Sequence, residues 1–521
     1  MADIVLINPR FEVSFWGLEY ALPYFGKRAN LPIACLPLLA ALTPAEHQIT
    51  LMDENVQPLD FDRLARADIV GVTGMSVQRF RMTEVLEELK ARGIFSVVGG
   101  PWVTVQEDYF GDLADVIFIG EAEETWPRFL REWQAGSQQQ RYEQAEKTDM
   151  SKVPCPRYDL LPATRYLFGT MQISRGCPFQ CEFCDIIVTF GRRPRLKTSP
   201  QVIAELEALR KSGLDVTFIV DDNLIGNKKA VKEVLRDVAA WQRRNGYPLS
   251  FFTEASLDLA EDDELIQLMV EANIQCVFIG IESPNEESLR ETKKLQNVRE
   301  KGGTILDKVH HIQRQGLEVW CGMIVGFDND GPDIFDQQVE FLTRARIVHA
   351  MVGMLAAIPK TPLYTRLAEE GRLDADDRNE FGTNVLPLQM SREELSDGYV
   401  RVMREIYDAE AYFDRVDRLF LDPEFHPGAI QREYWRHHPW ARLKAQALNA
   451  ALAAVIYGRL IRRIPDPELR AEYRRRMRKV WRTTHDPYYM FVYALKCALH
   501  YHYHRMVERL SQPERALVNS F

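Results

Sequence analysis

The strongest chemical signal in the chain comes from three cysteines on one short segment. Cys177, Cys181 and Cys184 are separated by three and then two residues. Three thiolates at such spacing can ligate three irons of a [4Fe–4S] cluster. No fourth cysteine follows at ferredoxin spacing, because the next one, Cys276, lies in an apolar run that predicts a strand. The pattern favours a cluster with one iron open to an exogenous ligand over a zinc site, which usually takes four protein ligands.

The segment Ile173-Ser-Arg-Gly-Cys177-Pro-Phe-Gln-Cys181-Glu-Phe-Cys184-Asp185 resembles the C-x3-C-x2-C signature of radical S-adenosylmethionine (SAM) enzymes. In that family the open iron binds the amino and carboxylate groups of SAM, and reduction cleaves SAM to a 5′-deoxyadenosyl radical. The resemblance implies the three cysteines as cluster ligands, SAM as a cofactor, and a reductase, flavodoxin or ferredoxin as the electron-donating partner. Thiolates that ligate iron need reducing conditions, which favours a cytoplasmic protein.

Strand-like runs alternate with helical patterns over residues 1–135. The strand-like runs are 4–7, 49–52, 69–73, 95–98 and 116–119, and the helical patterns are 31–42, 59–66, 80–92, 103–113 and 121–133. Such alternation predicts an α/β domain with a doubly wound parallel sheet. Sheets of this kind bind ligands at the carboxyl ends of their strands.

Glycine-rich and polar loops follow these predicted strands, directly before the cysteine segment. Paired glycines allow a bulky ligand to approach the backbone closely, although a tight turn without a ligand uses the same pair. The layout resembles the cobalamin-binding domain of cobalamin-dependent radical SAM enzymes. The resemblance implies cobalamin contacts from Thr73, Ser76, Gln78, Gly99, Gly100, Gly120 and Glu121.

One feature of other corrinoid proteins is missing from this region. The Asp-x-His-x-x-Gly loop that supplies a cobalt-ligating histidine does not occur, and the only histidine of residues 1–135 is His47. The resemblance therefore implies a lower cobalamin face without a protein imidazole. The loop 75–79 is the candidate for that face.

After a proline-rich linker at 136–168, strand-like runs recur at 171–174, 216–220, 249–254, 276–281, 319–325 and 350–357. Six βα units over residues 169–360 resemble the partial (β/α)6 barrel of radical SAM enzymes. In barrel-like sheets the chemistry lies on the loops after the strands. The cysteine segment follows the first of these strands.

Several side chains at the predicted strand ends match SAM-binding positions of that family. The resemblance implies that carboxylates accept hydrogen bonds from the SAM amino group and the ribose, and that a strand edge contacts adenine. The implied SAM residues are Asp221, Asp222, Glu254, Ser256, Glu282, Gly322 and Ile324. The alternative for each carboxylate is a helix N-cap.

Residues 361–521 predict a helical C-terminal domain with a basic end. Residues 431–510 carry 17 Lys/Arg against 6 Asp/Glu, within a chain of net charge −10. Residues 470–479 carry six Arg/Lys, and Tyr473, Met477 and Val480 fall on one face at helical spacing. Such a helix can lie on an anionic bilayer at the inner face of the membrane, and a solvated face of a helical cap is at least as good an interpretation. His500, His502 and His504 lack the carboxylate or cysteine pattern of a metal site.

The composition limits the remaining functional classes. The N-terminus lacks a basic n-region, and no run approaches 18 uncharged apolar residues, so neither a signal peptide nor a transmembrane helix is expected. No nucleic-acid partner is expected. The family resemblance implies a small molecule or a lipid as the substrate.

Three further segments, 192–198, 220–227 and 241–248, resemble the hopanoid C-2 methylase group. The resemblance implies a cobalamin-dependent radical SAM methyltransferase that methylates an unactivated carbon of a polycyclic lipid such as a hopanoid. These motifs locate SAM rather than the substrate. An oxidative cyclase acting on a tetrapyrrole-like substrate and a corrinoid- or cluster-binding sensor without turnover are the alternatives.

Overall fold

The computed structural model describes residues 1–299, 301–376 and 381–512. The chain divides into two compact units. Unit 1 holds residues 1–12, 28–238 and 357–369, and unit 2 holds 13–27, 239–356 and the chain from 370 onwards. Each unit therefore combines segments that are distant in the sequence.

Unit 1 begins with a six-stranded parallel sheet in the order β2-β1-β3-β4-β5-β6. The strands are β1 (Asp3–Asn8), β2 (Gln48–Asp53), β3 (Ile69–Thr73), β4 (Ser96–Gly99), β5 (Val116–Ile119) and β6 (Arg141–Glu143). The first five match the predicted runs, whereas β6 lies in the segment predicted as a linker and forms the edge of the sheet.

The helices of the N-terminal region are α1 (Leu22–Phe25, in unit 2), α2 (Cys35–Leu42), α3 (Phe61–Leu64), α4 (Arg79–Ala91), α5 (Pro101–Val105) and α6 (Thr125–Gln134). Helices cover both faces of the sheet. Val5 and Ile7 of β1 pack on the side of α4, whereas Ile4 and Leu6 pack with α2 and α6. This alternation follows from the two-residue period of a strand and confirms the doubly wound arrangement. The helix predicted at 103–113 is wrong in length, because α5 ends at Val105.

Unit 1 also contains the start of the second α/β region. It includes β7 (Gly169–Met171), β8 (Ser174–Arg175), α7 (Ile186–Thr189), β9 (Arg195–Leu196), α8 (Ser199–Ser212) and β10 (Val216–Ile219), which is followed by α9 (Lys228–Asn245). Strand β7 pairs in parallel with β10, and β8 forms a short antiparallel pair with β9. The run predicted as one strand at 171–174 is thus divided between β7 and β8.

Unit 2 supplies four parallel strands in the order β11-β12-β13-β14. They are β11 (Ser250–Ala255), β12 (Ile274–Glu282), β13 (Glu318–Val325) and β14 (Ala350–Met354), with α10 (Asp263–Glu271), α11 (Glu286–Glu291), α12 (Ile305–Arg314) and α13 (Ile334–Arg344) between them. Together with β7 and β10 these are the six parallel strands expected of a partial (β/α)6 barrel.

The C-terminal region is helical. Its helices are α14 (Pro362–Glu369, in unit 1), α15 (Arg392–Ile406), α16 (Ala409–Phe420), α17 (Ala429–His437), α18 (Pro439–Arg463), α19 (Pro467–Thr484) and α20 (Pro487–Leu510). Helices α18 and α19 both pack on α20, whose Tyr493, Cys497 and His500 are buried. Asp466 and Asp486 cap α19 and α20 through hydrogen bonds to first-turn amides, and a proline follows each cap.

A buried polar cluster joins α20 to the strands of unit 2. Lys496 Nζ lies 2.6 Å from Glu318 Oε1 and 2.9 Å from His349 Nε2. Burial, assisted by the charge of Lys496, holds the pKa of His349 well below its usual value, so the ring is neutral and its Nε2 accepts a hydrogen bond from Lys496 Nζ. The aromatic segment 13–27 belongs to the same unit, where Phe15 stacks on Tyr503 and Trp16 contacts Phe278.

The predicted lipid-facing surface of α19 is wrong. Tyr473, Met477 and Val480 are all buried, so this face of the helix belongs to the protein core. His500 and His502 of α20 are core residues as well: His500 bonds to Tyr473 Oη and to the Tyr407 carbonyl, and His502 bonds to the Ser14 carbonyl. No helix in the described part of the chain is long and apolar enough to cross a membrane.

Candidate active site

The three cysteines lie on the loop between β8 and α7. Gly176, directly before Cys177, has a φ of +90°, and a Cβ at this position would lie 2.9 Å from the carbonyl oxygens of Gly191 and Arg193. Only glycine fits so close an approach in the left-handed region. The Cys177 N–H donates to the Gly191 carbonyl at 3.2 Å, and the Cys184 N–H donates to the Cys181 carbonyl at 3.2 Å. The loop thus folds back on the segment before β9.

Two carboxylates after β10 hold the start of this cysteine loop. Asp221 Oδ1 accepts from the Ile173 N–H, and Asp221 Oδ2 accepts from the N–H and the hydroxyl of Ser174, each at 2.7 Å. Asp222 Oδ2 accepts from the Gly176 N–H at 2.7 Å. Burial raises the pKa of Asp221 to about 7 and that of Asp222 to about 6. Both side chains therefore position the cysteine loop, and their contact with the SAM amino group stays a prediction.

An ion-pair network joins the cysteine loop to the N-terminal sheet within unit 1. Arg175 Nη1 lies 2.8 Å from Glu121 Oε1 and 2.6 Å from Glu123 Oε1, in the loop after β5. Arg195 Nη1 lies 3.0 Å from Glu121 Oε2 and donates to the Thr148 carbonyl at 2.6 Å. All four charged side chains are buried or nearly so. Buried charges of this kind need one another, because removing either partner leaves an uncompensated charge.

Residues 357–369 return to unit 1 and support the same region. The Leu363 N–H donates to the carbonyl of Glu182, which lies between Cys181 and Cys184, at 3.0 Å. Lys360 Nζ donates to the Thr104 carbonyl at the end of α5, at 2.8 Å. The cysteine loop is therefore braced from the residues after β10, from the loop after β5, and from the first turn of α14.

The thiols of the cysteine loop need bound cations if they are to act as ligands. Burial and the charge of Asp185 raise the pKa of the Cys184 thiol well above its usual value, so bound cations are needed to stabilise the thiolate. Over residues 1–299, 301–376 and 381–512, no group of three or more His, Cys, Asp or Glu is arranged to hold one metal ion. In a [4Fe–4S] cluster each cysteine binds a different iron, and ligation of such a cluster by Cys177, Cys181 and Cys184 stays a prediction.

At the carboxyl edge of the N-terminal sheet, the loops after β3 and β4 pack tightly together. Gly100 has a φ of +105°, and a Cβ there would lie 2.5 Å from Thr73 Oγ1 and 3.0 Å from the Gly74 carbonyl. Loop packing thus requires glycine at position 100, whereas a Cβ at Gly99 would lie 3.1 Å from Phe118 Cβ in β5. The Gly120 N–H donates to Thr104 Oγ1 at 3.0 Å, which links the loop after β5 to α5.

The predicted cobalamin residues differ in their availability to a ligand. Gln78 is buried, and its Nε2 donates to Asn8 Oδ1 and to the Pro9 carbonyl, while both Glu121 oxygens are engaged in the ion-pair network. Ser76, Gly99, Gly100 and Gly120 are partly exposed at the sheet edge. The cobalamin contacts of all seven residues stay predictions.

One buried donor at the same sheet edge has no acceptor in the described part of the chain. It is Trp102 Nε1, two residues after Gly100. A buried donor without a partner costs free energy, so an acceptor from a bound group would stabilise this edge. A bulky ligand with many amide oxygens, as cobalamin has, could supply that acceptor.

Unit 2 brings a second set of predicted residues to the carboxyl edge of its strands. Glu282 ends β12 at a register shift, with a φ of +68°. Its Oε1 binds Lys294 Nζ at 2.6 Å, and Asn297 Nδ2 donates to the carbonyls of Gly280 and Ile281. Gly322 of β13 lies opposite Gly280, and a Cβ there would lie 3.7 Å from Glu282 Oε2. Glu282 and Gly322 are therefore neighbours, and a non-glycine residue at positive φ marks a candidate functional site.

The other SAM residues predicted in unit 2 share this edge. Glu254 pairs with Phe278 in the β11–β12 ladder, and Ser256 bonds to Asp258. The Ile324 carbonyl in β13 accepts from Gln338 Nε2 at 2.7 Å. Their contacts with SAM stay predictions.

The structure adds site residues that the sequence did not predict. They are Arg175, Arg195 and Glu123 in unit 1, and Lys294, Asn297 and Asp330 in unit 2. Asp330 accepts from the N–H groups of Gly326 and Phe327 and from Ser288 Oγ, and so holds the turn after β13. Arg175 was recognisable as the charged residue of the cysteine motif, but nothing in the sequence indicated its partners.

Comparisons with known proteins identify the family. The radical SAM superfamily matches residues 171–342, and a domain of unknown function, DUF4070, matches residues 361–516. The chain is 40% identical to an uncharacterized methyltransferase of Synechocystis over 80% of this chain and 78% of that protein. It is 33% identical to the hopanoid C-2 methylase of Rhodopseudomonas palustris over 82% of each chain. The chain belongs to the radical SAM methyltransferases.

This radical SAM methyltransferase also shares its fold with a solved enzyme. The cobalamin-dependent SAM radical enzyme OxsB, solved with aqua-cobalamin and SAM bound, matches 98% of this chain and 80% of its own, with a TM-score of 0.61 and 14% identity. The predicted family, fold class and enzymatic nature are confirmed. The cofactors predicted from the cysteine motif, SAM and an iron–sulfur cluster, are those of the family.

Proposed function

We propose that this radical SAM methyltransferase is cobalamin-dependent and transfers a methyl group to an unactivated carbon of a polycyclic lipid such as a hopanoid. The proposal is carried by the ion-pair network in which Glu121 and Glu123 bind Arg175. The network connects the loop after β5 of a cobalamin-type sheet to the residue two positions before Cys177. Two cofactors can serve one carbon atom only when they are held in fixed geometry.

Each group of residues has a proposed role. Cys177, Cys181 and Cys184 hold the cluster, and Glu282 with the neighbouring strand edge binds SAM. Thr73, Ser76 and the glycines of the N-terminal sheet edge bind cobalamin, one of whose amide oxygens accepts from Trp102 Nε1. When bound, the cluster and SAM supply the radical that abstracts hydrogen, and cobalamin supplies the methyl group. The protein orients these groups and excludes water.

The lipid substrate is supported by similarity to the hopanoid C-2 methylase, which covers 82% of both chains. The substrate class is a small molecule or a lipid, and the specific substrate that we propose is a hopanoid. A reductase, flavodoxin or ferredoxin is the proposed electron donor. Since exposed iron–sulfur clusters need a reducing compartment, we place the enzyme in the cytoplasm.

The test is anaerobic turnover of the reconstituted protein with SAM, cobalamin, a chemical reductant and a hopanoid. Formation of S-adenosylhomocysteine, 5′-deoxyadenosine and a product heavier by one methylene unit is expected. 5′-Deoxyadenosine without S-adenosylhomocysteine would indicate the oxidative cyclase instead. Neither product across a broad substrate extract would indicate a sensor without turnover.

A pair of cysteine variants controls this experiment. Cys177→Ala is expected to lose the cluster absorbance at about 400 nm and both SAM products. Cys155→Ala removes an exposed cysteine outside the loop and is expected to keep them. Retention of the absorbance and the products in Cys177→Ala would refute the assigned ligand set.

A further inference from the structure

Helix α18 presents an apolar face to solvent. The face consists of Trp440, Leu443, Leu448, Leu452 and Val455, whose side chains are 37–83% exposed. Helical spacing puts these five on one broad side of the helix, with Ala447, Ala451 and Ala454 between them. Contiguous apolar patches of this kind are uncommon on soluble proteins and mark interaction surfaces. We call these five residues the α18 face.

The opposite side of the helix is already used for packing. Ala453, Ile456 and Leu460 are buried, and α18 packs along α20 in unit 2. Arg459 and Arg463 donate to the carbonyls of Tyr24 and Pro23, which fixes the C-terminal end of the helix. The α18 face is therefore the outer side of a firmly held helix.

The charge of α18 indicates an anionic partner. From Pro439 to Arg463 the helix carries five cationic residues and no Asp or Glu. Arg442, Lys444 and Arg462 are exposed, and Trp440 is the most exposed of the apolar residues. By helical spacing, Lys444 and Arg462 lie on the same side as the apolar residues, so their long side chains can reach lipid headgroups while the leucines and Trp440 contact the acyl boundary.

We propose that the α18 face docks on an anionic lipid bilayer, with the helix in the membrane plane. Anionic headgroups complement its cationic residues, and the acyl boundary accepts the leucines and Trp440. A second copy of the chain is a poorer occupant, because two such helices would bring cationic surfaces together. The inference rests on the surface of α18 and is independent of the proposed reaction.

The test is flotation of the full-length protein with vesicles, which requires no turnover. One set contains phosphatidylcholine alone, and the other contains phosphatidylcholine mixed with phosphatidylglycerol. The wild type is expected to bind the anionic vesicles. Leu443→Ser/Leu448→Ser/Leu452→Ser and Arg442→Gln/Lys444→Gln are each expected to reduce that binding about tenfold or more.

Leu388→Ser is the matched control, because Leu388 is an exposed leucine outside α18. Its binding is expected to equal that of the wild type, and circular dichroism confirms that each variant keeps its helices. Absence of wild-type binding to anionic vesicles would overturn the proposal. An equal loss of vesicle binding in Leu388→Ser would also overturn it. So would a wild-type protein that binds no vesicles but forms a dimer in light scattering, if only the triple leucine variant abolishes that dimer.

Discussion

At the scale of single residues, side chains that could contact cofactors also hold backbone in place. Asp221 and Asp222 are carboxylates at the end of β10, and their oxygens accept from the backbone that leads into Cys177. The sequence identified Asp221 and Asp222 as strand-end carboxylates, because the end of a strand can be recognised from neighbouring residues alone. Their partners come from more than 40 positions earlier in the chain, and such pairs are set by the fold.

Glu121 illustrates the same distinction. The sequence places it after a predicted strand, where a ligand contact is reasonable, but the structure buries it between Arg175 and Arg195. Burial lowers the pKa of Arg175, whereas the carboxylates of Glu123 and Glu121 raise it. The net effect is a raised pKa. The arginine therefore stays charged, and its position depends on both acids.

The variant Glu121→Gln tests this positioning role. It removes the charge shared by Arg175 and Arg195 while keeping the side-chain size. With the cluster intact, we expect the ratio of S-adenosylhomocysteine to 5′-deoxyadenosine to fall about tenfold, because small displacements of the cysteine loop misalign the cofactors. Product quantification under anaerobic turnover measures this ratio.

Glu143→Gln is the control, since the Glu143 side chain forms a surface ion pair with Arg141 on β6. We expect wild-type behaviour there. A normal product ratio in Glu121→Gln, accompanied only by a lower melting temperature, would mean that the network stabilises the fold without aligning the cofactors.

At the scale of the elements, a glycine pair that is predicted to contact cobalamin also takes part in tight loop packing. The space where Gly100 would carry a Cβ is filled by Thr73 Oγ1, and the cobalamin contact of the pair stays a prediction. The pattern of the two glycines was informative about backbone conformation. It could not indicate whether a ligand or a neighbouring loop occupies the space.

Gly100→Ala is expected to destabilise unit 1 by about 2 kcal/mol or more, through the left-handed backbone and the contact with Thr73. Urea unfolding monitored by circular dichroism measures the loss. Gly111→Ala is the control, because Gly111 also has a positive φ but nothing lies within 4 Å of its Cβ position. That change is expected to cost about 1 kcal/mol. If both variants lost the same free energy of unfolding, the contact between the new Cβ and Thr73 would contribute nothing to the destabilisation.

Helical spacing also shows the limit of prediction for α18 and α19. The apolar positions of α19 were recognised, but periodicity cannot tell which neighbour covers them, and Tyr473 and Val480 are buried. The face of α18 was missed because its alanines and leucines extend around much of the helix. Burial, rather than periodicity, separates the outer from the inner side.

At the scale of the whole molecule, the alternation of strands and helices was predictable because each strand and helix is specified locally. The division of the chain was not, because the aromatic segment 13–27 belongs to unit 2 although both its flanking segments belong to unit 1. Contacts such as Phe15 on Tyr503 join residues almost 490 positions apart. No local pattern encodes them.

The buried histidines of unit 2 predict acid sensitivity. Burial lowers the pKa of His500 to about 3 and that of His502 to about 4, so both rings are neutral when folded and protonate on unfolding below pH 6.5. The stability they contribute is present above pH 6.5 and is lost as the pH falls towards these values. At pH 5 the loss is about 2 kcal/mol for each histidine.

Melting temperatures between pH 7.5 and pH 5 measure this effect. His500→Asn is expected to melt lower at neutral pH but to lose less on acidification than the wild type. His437→Asn, at an exposed position, is expected to keep the wild-type pH dependence. Parallel pH curves for wild type and His500→Asn would contradict the assignment.

The path of the chain has a consequence for synthesis on the ribosome. The chain crosses between the units five times, and residues 357–369, which hold Glu182 of the cysteine loop, complete unit 1 only after much of unit 2 has been made. At about 10 residues per second, about 13 s separate the emergence of residue 238 from that of residue 369. During this interval the cysteines are translated but incompletely braced. Cluster insertion is therefore expected to follow synthesis of residues 357–369. Neither unit can be completed during synthesis before segments of the other unit have been made.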